Sequence, residues 1–173
     1  MKDDTSILRL LAADGPHPAY ADKMMLFGQF VGSWDLDMKL YDSDGSSRSL
    51  KGVWHFGWVL EGRAIQDVLI PHRPEGGMGT TLRFYDPRID AWRVVWAGPA
   101  DGEFSTLVAR QVGDQIFLEG TWSIAAEHRL WQWRFSEITE TSFHWQGVVS
   151  DDGGQTWRLV EEMYARRRTG RLR

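Results

Sequence analysis

The chain has 173 residues, 42% of them hydrophobic and 25% charged, with a formal net charge of −4 at pH 7, values that predict one soluble globular domain and exclude a disordered chain. The acidic balance argues against a nucleic acid as partner, because neutralising phosphates needs a clustered positive surface. The lack of cysteine excludes disulfides and thiolate metal sites, and the lack of a signal peptide or a bilayer-long apolar run leads us to expect a cytoplasmic protein that binds no membrane.

Residues 1–32 are predicted to form a helical cap. The apolar residues between Ile7 and Leu11 give a short amphipathic helix that ends at the breaker Asp14-Gly15-Pro16. A second helix is predicted from about Ala21 to Phe30, and its apolar stripe is broader than one helix face. Such a stripe must be covered, so we expect this helix to close one end of the domain.

From Ser33 onward the hydrophobic period changes to two, and turn signals recur at the spacing of short strands. The connections are short and rich in turn formers, which favours antiparallel hairpins between neighbouring strands. About ten strands with one apolar face should curl into an all-β, up-and-down barrel over 33–165, followed by a solvated basic tail at 166–173. The predicted strands are 34–41, 50–59, 63–70, 80–85, 92–97, 103–110, 115–123, 129–135, 142–149 and 156–165.

Ten tryptophans dominate the apolar face. Even intervals place tryptophan pairs on one face of a strand, and the alternation turns Leu82, Phe84, Phe104 and Trp157 inward as well. These rings either surround a slot suited to a flat or polyene-like molecule or fill the barrel. The tryptophan pairs are Trp54 and Trp58, Trp92 and Trp96, and Trp131 and Trp133. The candidate ligand contacts are Trp54, Phe56, Trp58, Phe84, Trp96, Trp122, Trp133 and Trp145.

Three charged residues are predicted to face the interior. Arg63 and Asp67 lie four residues apart on one strand face, and Glu161 alternates with apolar residues on the last strand. In a functional interpretation, Arg63 binds a carboxylate or enolate oxygen while Asp67 or Glu161 moves a proton. In a structural interpretation, they form an internal ion pair that orders the barrel.

Metal and cofactor signals are weak. The five histidines show no metal spacing, so we expect neither a metal nor another cofactor. A haem would need an inward axial histidine late in the chain, and the one candidate, His144, falls on the outward parity. Residues 150–157 match the pattern S-x-D-x-G-x-T-W, known as the Asp-box, which we interpret as a well-made hairpin turn.

The segment Phe30-Val31-Gly32-Ser33-Trp34, a Gly-x-Trp that opens the first strand after a helix, resembles the calycin signature of lipocalins, fatty-acid-binding proteins and nitrobindin-like barrels. The wider pattern, with residues 58–64, 82–87 and 154–157, is similar to an uncharacterised bacterial group of the DUF1579 type. The resemblance implies a closed barrel with a helix over one end and an interior that holds a small apolar molecule. It also implies that Trp34 packs at the closed end.

The leading hypothesis is therefore a barrel that binds a small apolar, aromatic or polyene molecule. The alternative is an enzyme that uses the same pocket for cyclisation, isomerisation or decarboxylation, with Arg63, Asp67 and Glu161 as its polar groups. A haem-binding barrel, or a homodimer that acts through outward apolar residues, is the remaining interpretation.

Overall fold

The structure is a computed structural model that describes residues 6–124 and 127–169, with the side chains of 121–129 outside the description. Two α-helices, α1 (Ile7–Leu11) and α2 (Ala21–Gly28), lie near the N-terminus, with a short 3₁₀ helix (Pro18–Tyr20) directly before α2. A two-residue strand β1 (Ala12–Ala13) pairs with the end of β3. The barrel strands are β2 (Gly32–Tyr41), β3 (Ser47–Val59), β4 (Ala64–Pro71), β5 (Gly79–Asp86), β6 (Ala91–Gly98), β7 (Glu103–Val112), β8 (Gln115–Ile124), β9 (Glu127–Ser136), β10 (Ser142–Ser150) and β11 (Arg158–Arg167).

The ten strands β2 to β11 form a closed antiparallel barrel, which confirms the predicted fold class. Each strand pairs with its neighbours in sequence, and β11 returns to pair with β2. This closure leaves no long unpaired edge between the barrel strands. In the described part of the chain, the helices are all too short or too polar to cross a membrane.

Helix α2 closes one end of the barrel, as its broad apolar stripe predicts. Met24, Phe27 and Phe30 are each at most 1% exposed. Phe27 packs edge-on against Trp92, with ring centroids 5.0 Å apart, and Phe30 packs against rings from four strands. Trp34 is fully buried at this closed end, and its Nε1 donates to the carbonyl of Phe30 at 2.8 Å.

Strand β11 extends to Arg167, two residues past the predicted end of the barrel at residue 165. The Arg167 guanidinium donates to the carbonyls of Gln29 and Val31 at 2.8 and 2.9 Å, and it lies 4.1 Å from the centroid of the Trp34 ring. These contacts order the end of the strand, because they satisfy carbonyls that follow α2. Arg171 and Arg173 lie outside the described residues.

The predicted inward face of β5 and β7 is wrong by one residue. Thr81 and Arg83 are buried, whereas Phe84 is 37% and Phe104 57% exposed. Residues directly opposite in a sheet share a face, and Thr81 pairs with Asp67 on one side and with Trp96 on the other. Because Trp96 points inward, Thr81 must do so too, and the apolar residues that follow it point outward.

The segment 150–157 forms the predicted turn. The Asp152 carboxylate accepts hydrogen bonds from the backbone amides of Gln155 and Thr156 and from the hydroxyl of Ser150. Trp157 is 42% exposed, so the prediction that it faces the interior is wrong. It precedes β11 and belongs to the turn, where the alternation of a strand does not apply.

Candidate functional site

A cavity of about 90 Å³ lies inside the barrel on the side of the aromatic core away from α2. An outer pocket of about 110 Å³ adjoins it, since the two spaces share Leu69, Trp96, Glu103 and Glu161. We call Glu103 and Glu161 the mouth of the cavity. The cavity is lined by Trp54, Leu69, Thr81, Arg83, Trp96, Glu103, Ser105, Trp131, Trp133, Trp145, Glu161 and Met163.

The aromatic rings fill one half of the barrel and surround a space in the other. Trp54 lies at the boundary, because its ring contacts Phe56 at 4.8 Å on the core side and Trp145 at 6.4 Å on the cavity side. Trp133 contacts Trp145 at 5.7 Å and Trp96 at 6.4 Å. The cavity walls are therefore indole rings packed against each other, which are large and rigid.

The predicted ligand contacts divide between the cavity and other parts of the barrel. Trp54, Trp96, Trp133 and Trp145 line the cavity, whereas Phe56 belongs to the packed core. Trp58 lies against Gly28 of α2 at the closed end. Phe84 is on the outer surface, because Thr81 and Arg83 are the inward residues of β5. The side chain of Trp122 lies outside the described residues.

The position of Trp96 depends on Gly79 in the neighbouring strand. A Cβ at position 79 would lie 2.0 Å from Cη2 of the Trp96 ring, which no real contact allows. Glycine thus lets the indole lie flat against β5 and leaves the cavity open. The Trp96 Nε1 donates to Glu103 at 3.1 Å, which ties the ring to the mouth.

We call Trp54 and Arg83 the floor of the cavity, and Arg83 makes a buried ion pair with Asp67, which does not itself line the cavity. The side chains of Asp67 and Arg83 are 0% and 1% exposed, and Arg83 Nη1 donates to Asp67 Oδ2 at 2.5 Å. The other carboxylate oxygen accepts from the backbone amide of Thr81 at 2.9 Å. The Arg83 guanidinium also lies over the rings of Phe27 and Phe56, at 5.2 and 5.4 Å from their centroids. Arg83 therefore joins the cavity to the core.

The prediction that Arg63 shares the interior with Asp67 is wrong. Arg63 lies before the start of β4, where its side chain is 52% exposed and contacts Glu61 and His17. A tight turn with positive φ at Leu60, Glu61 and Gly62 precedes it, so the strand alternation does not extend to Arg63. The inward cation is Arg83 of β5. The strand alternation did not indicate it, because Leu82 and Phe84, the apolar residues on either side, were predicted to face the interior.

Glu161 faces the interior, as its parity predicts, and lies at the mouth of the cavity. It lines both spaces, and its carboxyl group makes no hydrogen bond within the described residues. Burial raises the pKa of its carboxyl group to about 7, and the charge of Glu103 acts in the same direction, while Arg73 and Arg48 oppose both. A carboxyl group with this pKa can accept or donate a proton near neutrality.

The structure turns His144 to the outer face of β10, away from the cavity, where neighbouring side chains bury it. Its ring stacks on Tyr164 with centroids 4.1 Å apart, and Nε2 lies 3.0 Å from Glu162 Oε2. A haem inside the barrel would find no axial ligand in this residue. Within the described residues, no group of three or more histidine or acidic side chains could hold a metal ion.

The fold is shared with two solved structures. The crystal structure of Rv2717c from M. tuberculosis matches with a TM-score of 0.60 and 14% identity, covering 89% of this chain and 99% of that chain. The S-type phycobiliprotein lyase CPES from Guillardia theta matches with a TM-score of 0.57 and 10% identity, covering 85% and 93%. At these identities the likeness shows the fold alone, which fits the predicted calycin-like barrel. No family model matches the chain, and no curated protein matches it, so the DUF1579-type resemblance stays a prediction.

Proposed function

We propose that this barrel binds a small, largely apolar, aromatic or polyene molecule in its tryptophan-lined cavity. The cavity itself carries the proposal, because protein interiors are otherwise close-packed. An unfilled space of 90 Å³ lowers the free energy of unfolding by about 2 kcal/mol. The indole walls match the faces of a flat ligand. The fold that the chain shares with a phycobiliprotein lyase is compatible with such a ligand.

Tryptophan fluorescence tests this proposal directly. A panel of aromatic and polyene molecules is titrated into the protein, and we expect saturable quenching or a spectral shift with at least one of them. The variant Trp133→Ala removes one cavity wall and should weaken that binding at least about tenfold. Trp157→Phe is the matched control, since this exposed ring lies outside the cavity and its loss should leave the Kd unchanged. A panel without any saturable response contradicts the proposal.

A second candidate function is suggested by Glu161. A carboxyl group with a pKa near 7 that lines a cavity has the properties of a general acid or base. In an isomerisation, cyclisation or decarboxylation, Glu161 would move the proton, while Asp67 would hold Arg83 in place. Molecules that bind are incubated with the protein, and products are sought by mass spectrometry. If turnover occurs, Glu161→Gln should abolish it without unfolding the barrel.

A further inference from the structure

The cavity floor holds two hydrogen-bond donors that the described residues leave without acceptors. Arg83 and Trp54 are 1% and 3% exposed, and both line the cavity. Neither Arg83 Nε nor Trp54 Nε1 has a hydrogen-bond partner in the described structure. Since buried polar groups in native proteins are almost always paired, two such donors at one cavity point to an acceptor on the molecule that occupies it.

The charges around the cavity favour a neutral acceptor over an anion. The positive charge of Arg83 is already balanced by Asp67, 2.5 Å away and equally buried. Two further carboxyl groups, Glu103 and Glu161, line the same cavity. A ligand carboxylate would be desolvated at the floor without an unpaired cation to receive it. A carbonyl oxygen can accept two hydrogen bonds at a smaller desolvation cost.

Building on the proposed function, we infer that the cavity selects a neutral aromatic molecule bearing a carbonyl oxygen, which points to the floor and accepts hydrogen bonds from Arg83 Nε and Trp54 Nε1. The ring would lie among Trp96, Trp133 and Trp145, with its far edge toward the mouth. This assigns a chemical class to the ligand, and it gives Arg83 a role in recognition besides its ion pair.

Three probes of equal heavy-atom number and similar shape test the inference by isothermal titration calorimetry. Acetophenone carries a neutral carbonyl, α-methylstyrene replaces that oxygen with a methylene group, and benzoate carries a carboxylate. We expect acetophenone to bind about tenfold or more tightly than α-methylstyrene, because only its oxygen pairs the floor donors. Benzoate should bind more weakly than acetophenone.

Variants of Trp54 and Arg83, compared with a control, test whether these two residues donate the hydrogen bonds to the ligand carbonyl. Trp54→Phe removes one floor donor and should reduce the preference for acetophenone over α-methylstyrene several-fold. Trp145→Phe, the control, trims another cavity wall and should weaken both probes by the same factor. Arg83→Lys keeps a cation beside Asp67 while removing Nε, and it should also reduce the preference. Thermal unfolding shows that each variant is folded.

The outcomes of these titrations test the inference separately from the proposed function. Equal affinities for acetophenone and α-methylstyrene overturn the inference and leave the binding function supported. Tightest binding of benzoate also overturns the inference, since the floor would then be an anion site. A preference that survives both Trp54→Phe and Arg83→Lys refutes the assignment of the donors. Binding of none of the three probes overturns the inference alone, because the proposed function is decided by the wider fluorescence panel of aromatic and polyene molecules.

Discussion

The carboxyl group of Glu161 faces the cavity and receives no hydrogen bond from the described residues. Its pKa is raised from an ordinary value of 4.5 to about 7, mainly by burial. The folded protein therefore holds a proton, between these pH values, that the unfolded chain has lost. The free energy of unfolding must then decrease as the pH rises through this window.

We predict that Glu161→Gln removes this loss of stability. At about pH 8 the variant should be more stable than the unchanged protein by at most about 3 kcal/mol, whereas below pH 4.5 the two should be similar. Urea denaturation at both pH values measures the difference. Glu75→Gln, at an exposed position, is the control and should change neither value. The prediction would be contradicted if the free energy of unfolding of Glu161→Gln changed with pH in the same way as that of the unchanged protein.

The ion pair of Asp67 and Arg83 gives a second prediction at this scale. Asp67→Asn leaves the buried Arg83 charge uncompensated and should lower the free energy of unfolding by about 3–5 kcal/mol. The exposed pair of Lys23 and Asp90, with side chains 54% and 70% exposed, is the comparison. Asp90→Asn should cost at most about 1 kcal/mol. Thermal or urea denaturation measures both losses. Equal losses of free energy of unfolding in Asp67→Asn and Asp90→Asn would contradict the prediction.

At the scale of single elements, β5 determines the shape of the cavity. It contributes Thr81 and Arg83 to the lining, and its first residue, Gly79, gives room to the Trp96 ring of β6. The strand therefore positions one wall of the cavity through the absence of a side chain. Gly57 in β3 also lies within a strand, but a Cβ there would meet nothing within 4 Å.

We predict that Gly79→Ala closes the cavity by displacing the Trp96 ring. The variant should lose measurable ligand binding and about 1–3 kcal/mol of stability, because the ring leaves its place against β5 and its bond to Glu103. Gly57→Ala should keep both properties within experimental error. Ligand titration and urea denaturation of the two variants provide the test. Unchanged affinity in Gly79→Ala would show that Trp96 does not bound the site.

At the scale of the whole molecule, stability and the open cavity oppose each other. The core cluster includes residues of α2 and of most barrel strands, so the closed half supports the cavity half. Ser105 of β7 is 6% exposed and lines the cavity. An apolar side chain at this position would fill part of the space at the expense of the ligand.

We therefore predict that Ser105→Val stabilises the barrel and weakens binding. The added methyl groups should raise the free energy of unfolding by about 1 kcal/mol, while ligand affinity falls about tenfold or more. Ser49→Val is the control, because Ser49 is an exposed strand residue of β3 and leaves the cavity untouched. Calorimetric titration and denaturation would refute the prediction if Ser105→Val bound ligand as tightly as the unchanged protein.

Much of the barrel was predictable, because its determinants are local. The change of period at Ser33 marked the end of the helical cap, and the short turns fixed the antiparallel order of the strands. Strand alternation alone predicted that Trp54, Trp96, Trp133 and Trp145 face the interior, where the structure has them line the cavity. The prediction failed for Arg63 and Trp157 because a positive-φ turn and a loop lie outside the strands. It failed for Phe84 because strand pairing turns Thr81 and Arg83 of β5 inward instead.

The amino-acid sequence by itself determined the class of fold, the capped end and the aromatic character of the interior, because hydrophobic period and turn residues act over a few neighbours. Only the tertiary structure decided where the rings stop and the space begins. That boundary depends on contacts between residues distant in sequence, such as Gly79 beneath Trp96 and Asp67 beside Arg83. Strand pairing, and not local pattern, brings these groups together.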